Sequence, residues 1–169
     1  MTAFVALLRG INVGGATTLA MADLRRIAAE AGLANVRTHI ASGNLLFESD
    51  LGEPALKRMI EERLEALTGR RIPVCLRSAA EMAAVAAANP FADRPGNRTV
   101  AIFLDAPPPA DAAETAKGAA GERIAPGVRE IYVFYPDGQG RSKLQIPAAR
   151  EGTARNMNTV AKLTAMLRG

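Results

Sequence analysis

Arg9-Gly10-Ile11-Asn12-Val13-Gly14-Gly15 places a guanidinium, an amide and three glycines within one short stretch. Consecutive N–H groups in a glycine-containing loop form a concavity that binds anions, and a helix starting just beyond adds partial positive charge. Arg9 contributes a fork of donors matched to phosphate or carboxylate. Gly10, Gly14 and Gly15 fit neither GxGxxG nor GxxxxGKS/T, so no dinucleotide or nucleoside-triphosphate loop is predicted. The alternative is a tight connection in which Asn12 bonds local backbone. A second polar cluster lies near the other end, in a predicted helix from about Thr153 to Leu167. There Arg155, Asn158, Thr159 and Lys162 recur at i, i+3, i+4 and i+7 and share one flank, with Thr153 as N-cap. A cation, an amide, a hydroxyl and a second cation in one row hold a phosphate or carboxylate; a solvated, capped face is the alternative. Asn156 and Asn158 are poor helix formers, so something other than propensity placed them.

The other reactive side chains are isolated. His39 is the only histidine and has no carboxylate partner nearby in sequence, so it reads as a structural or surface residue rather than a general base. Cys75 sits among apolar neighbours and reads as a small core residue; a Cys/His nucleophilic pair has no local signature. Glu61, Glu62 and Glu65 share a helix with Arg58 and Arg63 and read as a solvated face. Asp105 follows an apolar strand without a second acid at supporting spacing, so no metal site and no cofactor are predicted. No catalytic residue is assigned.

Charge narrows the partners. The chain has 21 Lys and Arg against 17 Asp and Glu, a net of +4. Gly138–Gly169 holds Arg141, Lys143, Arg150, Arg155, Lys162 and Arg168 against Glu151 alone, a net of +5, so residues 1–137 stand at −1. A basic end favours a phosphorylated small molecule or nucleic acid, or simply keeps the surface solvated. No apolar run approaches the ~20 residues of a membrane helix, so no membrane partner is expected. A single cysteine and the absence of a basic-then-apolar start predict a cytoplasmic protein.

The elements that must position these groups follow from periodicity. Phe4–Leu8 reads as a strand buried on both faces, and Met21, Leu24, Ile27, Ala28 and Ala31 as a helical stripe ended by Gly32. Val36–Ile40 and Leu45–Phe47 form a hairpin around Ser42-Gly43-Asn44, which brings Ser42 and Asn44 into the candidate ligand set. Pro54 opens a helix that Gly69 closes, with Leu56, Met59, Ile60, Leu64 and Leu67 as its stripe. Ile72–Leu76 is the fourth strand. The order β-α-β-β-α-β over residues 1–78 is the ferredoxin-like arrangement. Residues 79–97 form a connection, with a helix Ala79–Ala88 opened by a Ser78/Glu81 capping box and a polar turn-rich stretch. Residues 98–169 repeat the order. Thr99–Leu104 is a strand, Ala110–Ala120 a weak helix, Glu130–Tyr135 and Ser142–Ile146 a hairpin, and a final helix closes the chain without a last strand. The expected fold is α+β, two tandem ferredoxin-like units with mainly antiparallel sheets.

Ala6-Leu7-Leu8-Arg9-Gly10-Ile11-Asn12-Val13-Gly14-Gly15, Met21-Ala22-Asp23-Leu24, Asn35-Val36-Arg37-Thr38, Ser42-Gly43-Asn44 and Thr153-Ala154-Arg155-Asn156-Met157-Asn158-Thr159-Val160 occur in this order. Together they resemble the bacterial family catalogued as domain of unknown function 1697. The resemblance implies an α+β fold of paired ferredoxin-like units and no activity. Met157 stands where that family usually carries an aromatic residue, so stacking on a ligand is not implied there. Three functions are consistent with the residues. One is a binding module for an anionic ligand or nucleic acid, using Arg9, Asn12, Gly14, Gly15, Ser42, Asn44, Arg155 and Asn156. The others are a small metal-free enzyme acting on a phosphorylated substrate and an interaction scaffold.

Overall fold

The computed structural model describes residues 1–12 and 17–168. The chain divides into two compact units, Met1–Glu81 with Met166–Gly169, and Met82–Ala165. The first unit contains β1 (Thr2–Leu8), α1 (Met21–Glu30), β2 (Ala34–Thr38), β3 (Asn44–Ser49), α2 (Glu53–Thr68) and β4 (Val74–Ser78). Its sheet runs β2-β3-β1-β4, and every neighbouring pair is antiparallel. This is the element order and strand arrangement the sequence predicts.

Alternation along the strands sorts the side chains. Phe4, Ala6 and Leu8 of β1 are in register with Phe47 and Leu45 of β3 and with Leu76 and Val74 of β4. They form one core with Leu24, Ile27 and Ala28 of α1 and Leu56, Ile60 and Leu64 of α2. Each fully buried leucine there stabilises the fold by about 1.5–3 kcal/mol. Val5, Leu7 and Leu46 point to the opposite face and are also buried, as expected of a central strand. Gly69 closes α2 in the left-handed conformation, φ 73°. Glu61 departs from the solvated-face expectation. Its Oε2 accepts from Lys57 Nζ at 2.8 Å and from the Val74 N–H at 2.9 Å, while Lys57 donates to the Val74 carbonyl at 2.6 Å. The pair thus clasps α2 to the start of β4, and only Glu62 and Glu65 remain exposed carboxylates on that helix.

Next come α3 (Ala79–Ala87), β5 (Thr99–Phe103), β6 (Arg123–Pro126), β7 (Glu130–Phe134), β8 (Thr153–Asn156) and α4 (Met157–Arg168). The second sheet runs β6-β7-β5-β8 and is again antiparallel throughout. Position for position, this is the strand order of the first sheet, which is consistent with tandem duplication. The Ser78/Glu81 capping box is present. The Ser78 N–H donates to Glu81 Oε1 at 2.9 Å, and the Glu81 N–H donates to Ser78 Oγ at 3.2 Å.

Several expectations for the second half need correction. Residues 110–120 form no helix: 110–115 are turns and Lys117 makes a bridge, with only Ala112 buried, because the segment offers no apolar stripe to dock. The partner of β7 is β6, closed by Gly127-Val128-Arg129; it is not Ser142–Ile146, which makes one bridge, Gln145 to Lys117. A fourth strand does exist. β8 occupies Thr153–Asn156, so the last helix begins at Met157. One face of this sheet packs Val100, Ile102, Ile131, Val133 and Tyr135 against Ala112, Leu144 and Ile146 of the two long connections.

Two measurements probe this fold. Gly43 has φ +94°, and a Cβ there would meet Ile11 Cδ1 at 2.6 Å and Leu8 Cβ at 2.9 Å. Gly43→Ala should cost about 2–5 kcal/mol in urea unfolding, from backbone strain plus crowding. Gly10, at φ +66° with nothing within 4 Å, should lose only about 1–2 kcal/mol on the same change. In the second unit the Tyr132 hydroxyl donates to the Val85 carbonyl at 2.8 Å. Burial, with the Glu130 carboxylate adding, pushes its phenol up to about 12. The folded protein therefore holds this proton more tightly than the unfolded chain. Its contribution is fully present below pH ~10 and is lost as pH rises through about 12. Tyr132→Phe should flatten the fall in stability across that interval in alkaline denaturation.

Candidate functional site

Of the predicted site residues of the first unit, Arg9, Asn12, Ser42 and Asn44 lie at one end of its sheet. Asn12, at φ 53°, donates through Nδ2 to the Leu19 and Ala41 carbonyls, both at 2.8 Å, and its Oδ1 accepts from the Leu19 N–H at 2.8 Å. Asn44 is fully buried, and its Nδ2 reaches the His39 carbonyl at 2.8 Å and Ser42 Oγ at 3.4 Å. The Leu8 N–H donates to the Gly43 carbonyl at 2.9 Å. These bonds clasp the connection after β1 to the β2–β3 turn. Arg9 is half-buried where β1 ends, its N–H donating to the Pro73 carbonyl at 3.1 Å. Gly14 and Gly15 lie outside the described residues.

Both amides therefore direct their donors inward, the local-backbone role that the sequence left open for Asn12. What the clasp holds outward is backbone. Gly10 is exposed, and among the described residues its N–H makes no hydrogen bond. Ile40 adopts φ 53°, a left-handed conformation that a β-branched residue adopts only under strain, and its side chain is 49% exposed. His39 sits beside it, with its N–H donating to the Asn44 carbonyl at 3.0 Å.

Arg155 and Asn156 belong to the second unit, on β8. Arg155 is a buried strand residue, so it does not share a helical row with Asn158, Thr159 and Lys162. Its Nη1 donates to the Ala154 carbonyl at 2.9 Å. Asn156, and not Thr153, caps α4: its Oδ1 accepts the Thr159 N–H at 2.9 Å. The first unit repeats the device at Arg77 and Ser78, which sequence reasoning did not single out. Arg77 is 1% exposed, and its Nη1 donates to the Leu76 carbonyl at 2.8 Å. Val5 pairs with Arg77 as Ala101 pairs with Arg155, and Phe4 pairs with Ser78 as Val100 pairs with Asn156. The available signal was a lone arginine directly before a capping residue and a helix, twice.

A family model described as "Protein of unknown function (DUF1697)" matches residues 1–132. The chain belongs to this DUF1697 family. A comparison with curated proteins gives no match. Among solved structures, the chain is similar to the conserved bacterial protein SP0830 from Streptococcus pneumoniae, with a TM-score of 0.81 and 25% identity over 100% of this chain and 99% of that one. The family match takes in the clasped loops and Arg77; β8, with Arg155 and Asn156, lies beyond it.

This DUF1697 chain has two open grooves on its second unit. One, of about 560 Å³, sets Arg141 and Lys143 against Glu122 and Asp137. Glu122 accepts from the Ala120 N–H and from Ser142 Oγ, and the Ala120 bond in particular holds its carboxyl below the ordinary value. Its opposite charges therefore balance. The other groove, of about 440 Å³, is lined by Lys117, Gln145, Ile146, Pro147 and Arg150. Among the described residues no three His, Cys, Asp or Glu side chains gather as a metal site, and no helix is long and apolar enough to cross a membrane.

The clasp is tested by Asn12→Ala. Losing three hydrogen bonds, each worth about 0.5–1.5 kcal/mol net, should lower unfolding stability by about 2–4 kcal/mol. Hydrogen exchange should then speed up at Leu19 and Leu8 before it does so in β3.

Proposed function

We propose that the chain is a binding module for an anionic, phosphate-bearing ligand, and that the clasped loops of the first unit are its site. The observation that carries this reading is the strain at Ile40. A hairpin turn needs no β-branched residue at φ 53°, and a half-exposed side chain gains too little burial to offset the strain. Strain held by over-determined surroundings gathers where backbone is preset for a ligand. Here the setting is the Asn12 amide, the Gly43 close approach and the buried Asn44. Ser42 and Asn44 fix the turn, and Arg9 and the exposed Gly10 backbone face the anion. A guanidinium beside an exposed backbone N–H is a donor set for phosphate oxygens.

Pyrophosphate titration at constant ionic strength tests this, read as a shift in melting temperature. The wild-type protein should be stabilised, and Arg9→Ala should bind about 10- to 150-fold more weakly, the loss of a charge-assisted hydrogen bond. Ile40→Asn should raise the ligand-free stability by about 1 kcal/mol, since Asn tolerates the left-handed region, and should weaken the pyrophosphate response. Equal responses from wild type and Arg9→Ala would sink the reading.

A further inference from the structure

The connection between α3 and β5 reads in sequence as a polar, turn-rich boundary, yet it is built onto the second sheet. The Phe91 N–H donates to Asn89 Oδ1 at 2.9 Å, the Arg94 N–H to the Phe91 carbonyl at 2.9 Å, and the Arg98 N–H to the Pro95 carbonyl at 3.0 Å. The Phe91 ring lies 6.3 Å from that of Phe134, tilted by 38°. The Arg94 guanidinium carbon stands 5.1 Å from the Phe134 ring centroid. Arg98 Nη1 donates to the Pro136 carbonyl, just past the end of β7. On the edge strand β6, Arg123 is in direct register with Phe134. One guanidinium, that of Arg94, therefore lies over the Phe134 ring, while Arg98 is bonded just past the end of β7 and Arg123 is the strand partner of Phe134.

Arg94, Arg98 and Arg123 are all exposed, and among the described residues none of them forms an ion pair. Asp93 is the only carboxylate in residues 89–98. Phe91 is half-buried. An acidic peptide would use the charge and leave the aromatic faces idle. A nucleotide uses both, because a base has a flat face for Phe91 and for a guanidinium plane, and its flanking phosphates take guanidinium donors. Only unstacked bases offer those faces, which excludes an intact duplex.

We propose that Phe91, Arg94, Arg98 and Arg123 form a binding surface for single-stranded nucleic acid. A base stacks against Phe91 and Arg94, and the adjoining phosphates sit on Arg98 and Arg123. The surface needs no open sheet face, and it is independent of the Arg9 loop.

Fluorescence anisotropy of a labelled ten-nucleotide oligouridylate with the full-length protein tests the proposal. Binding should weaken with salt. Phe91→Ala should reduce affinity about 5- to 150-fold in protein that remains folded at the assay temperature, and Phe91→Tyr should retain affinity. Arg123→Gln should lower the log–log salt slope by about 0.7. Arg9→Ala should leave oligonucleotide binding intact, whatever it does to pyrophosphate. No binding, or wild-type affinity in both Phe91→Ala and Arg123→Gln, would overturn the proposal. Equal competition by decaglutamate would reduce the surface to bare charge, and tighter binding of a ten-base-pair duplex would refute the single-strand assignment. Should Phe91→Ala unfold, the Arg123→Gln slope decides alone, since that side chain is exposed on an edge.

Discussion

The central strand of each sheet sits between two hydrogen-bonded neighbours and has no exposed face, and the rest of each unit is arranged around that constraint. Phe4–Leu8 of β1 and all of β5 are buried. Such a strand accepts little but apolar side chains, and its register fixes which residues of its neighbours face each core. One consequence is that the same positions recur in both units. Leu7 pairs with Asn44 as Phe103 pairs with Glu130, and Val5 pairs with Arg77 as Ala101 pairs with Arg155. All four polar partners are buried. A buried polar group is costly unless bonded, so each of these positions demands a specific local solution. At Arg77 and Arg155 that solution is the same: Nη1 turns back to the carbonyl of the preceding residue.

This division of labour separates polar residues that hold the fold from those that face solvent. Asn12, Asn44 and Asn156 read as ligand residues in sequence and Glu61 as a solvated one, yet each is bonded to backbone. The outward chemistry lies instead in backbone and in arginines. Ile40 and Gly10 present strained or open backbone on the first unit. Arg94, over the Phe134 ring, and the exposed Arg98 and Arg123 present cations on the second. The +5 of the C-terminal stretch therefore overstates its surface charge, because Arg155 is buried in β8.

What was legible in the sequence follows from how strongly each segment repeats a period. The first unit's elements were readable because their stripes are long and their stops explicit: Gly32, the Ser42-Gly43-Asn44 turn, Pro54 and Gly69. The second unit was harder to read for physical reasons. β6 is four residues, Arg-Ile-Ala-Pro, too short to show alternation and ending in a proline that only an edge strand tolerates. Ala110–Ala120 has helical composition but no apolar face, and composition without a docking stripe does not make a helix. β8 was hidden because Thr153 imitates an N-cap, whereas the functioning cap is Asn156, three residues further on. In the candidate site, the meeting of Asn12 with the β2–β3 turn depends on contacts 29 residues apart, which no local pattern carries. The convergence of Arg123 on Phe134 depends on the same strand that could not be read.

The comparison of the two units also explains where new chemistry has room to arise. Both keep the strand order, the buried arginine and the capped helix after the last strand, features that the doubly buried central strand constrains. They differ in the connections. In the first unit α1 and α2 lie between strands and present long apolar stripes to the core. In the second the corresponding segments are turns and short 3₁₀ stretches, burying Ala112, Leu144 and Ile146 at separate points. A helix that must present a continuous stripe has few positions to spare, whereas a connection pinned at separate points leaves the residues between them unconstrained by packing. The grooves lined by Arg141 and by Arg150, and the exposed Arg123, belong to that looser unit. Its surface is therefore less constrained by packing, whereas in the first unit the polar residues at the end of β1 are held in one loop clasp.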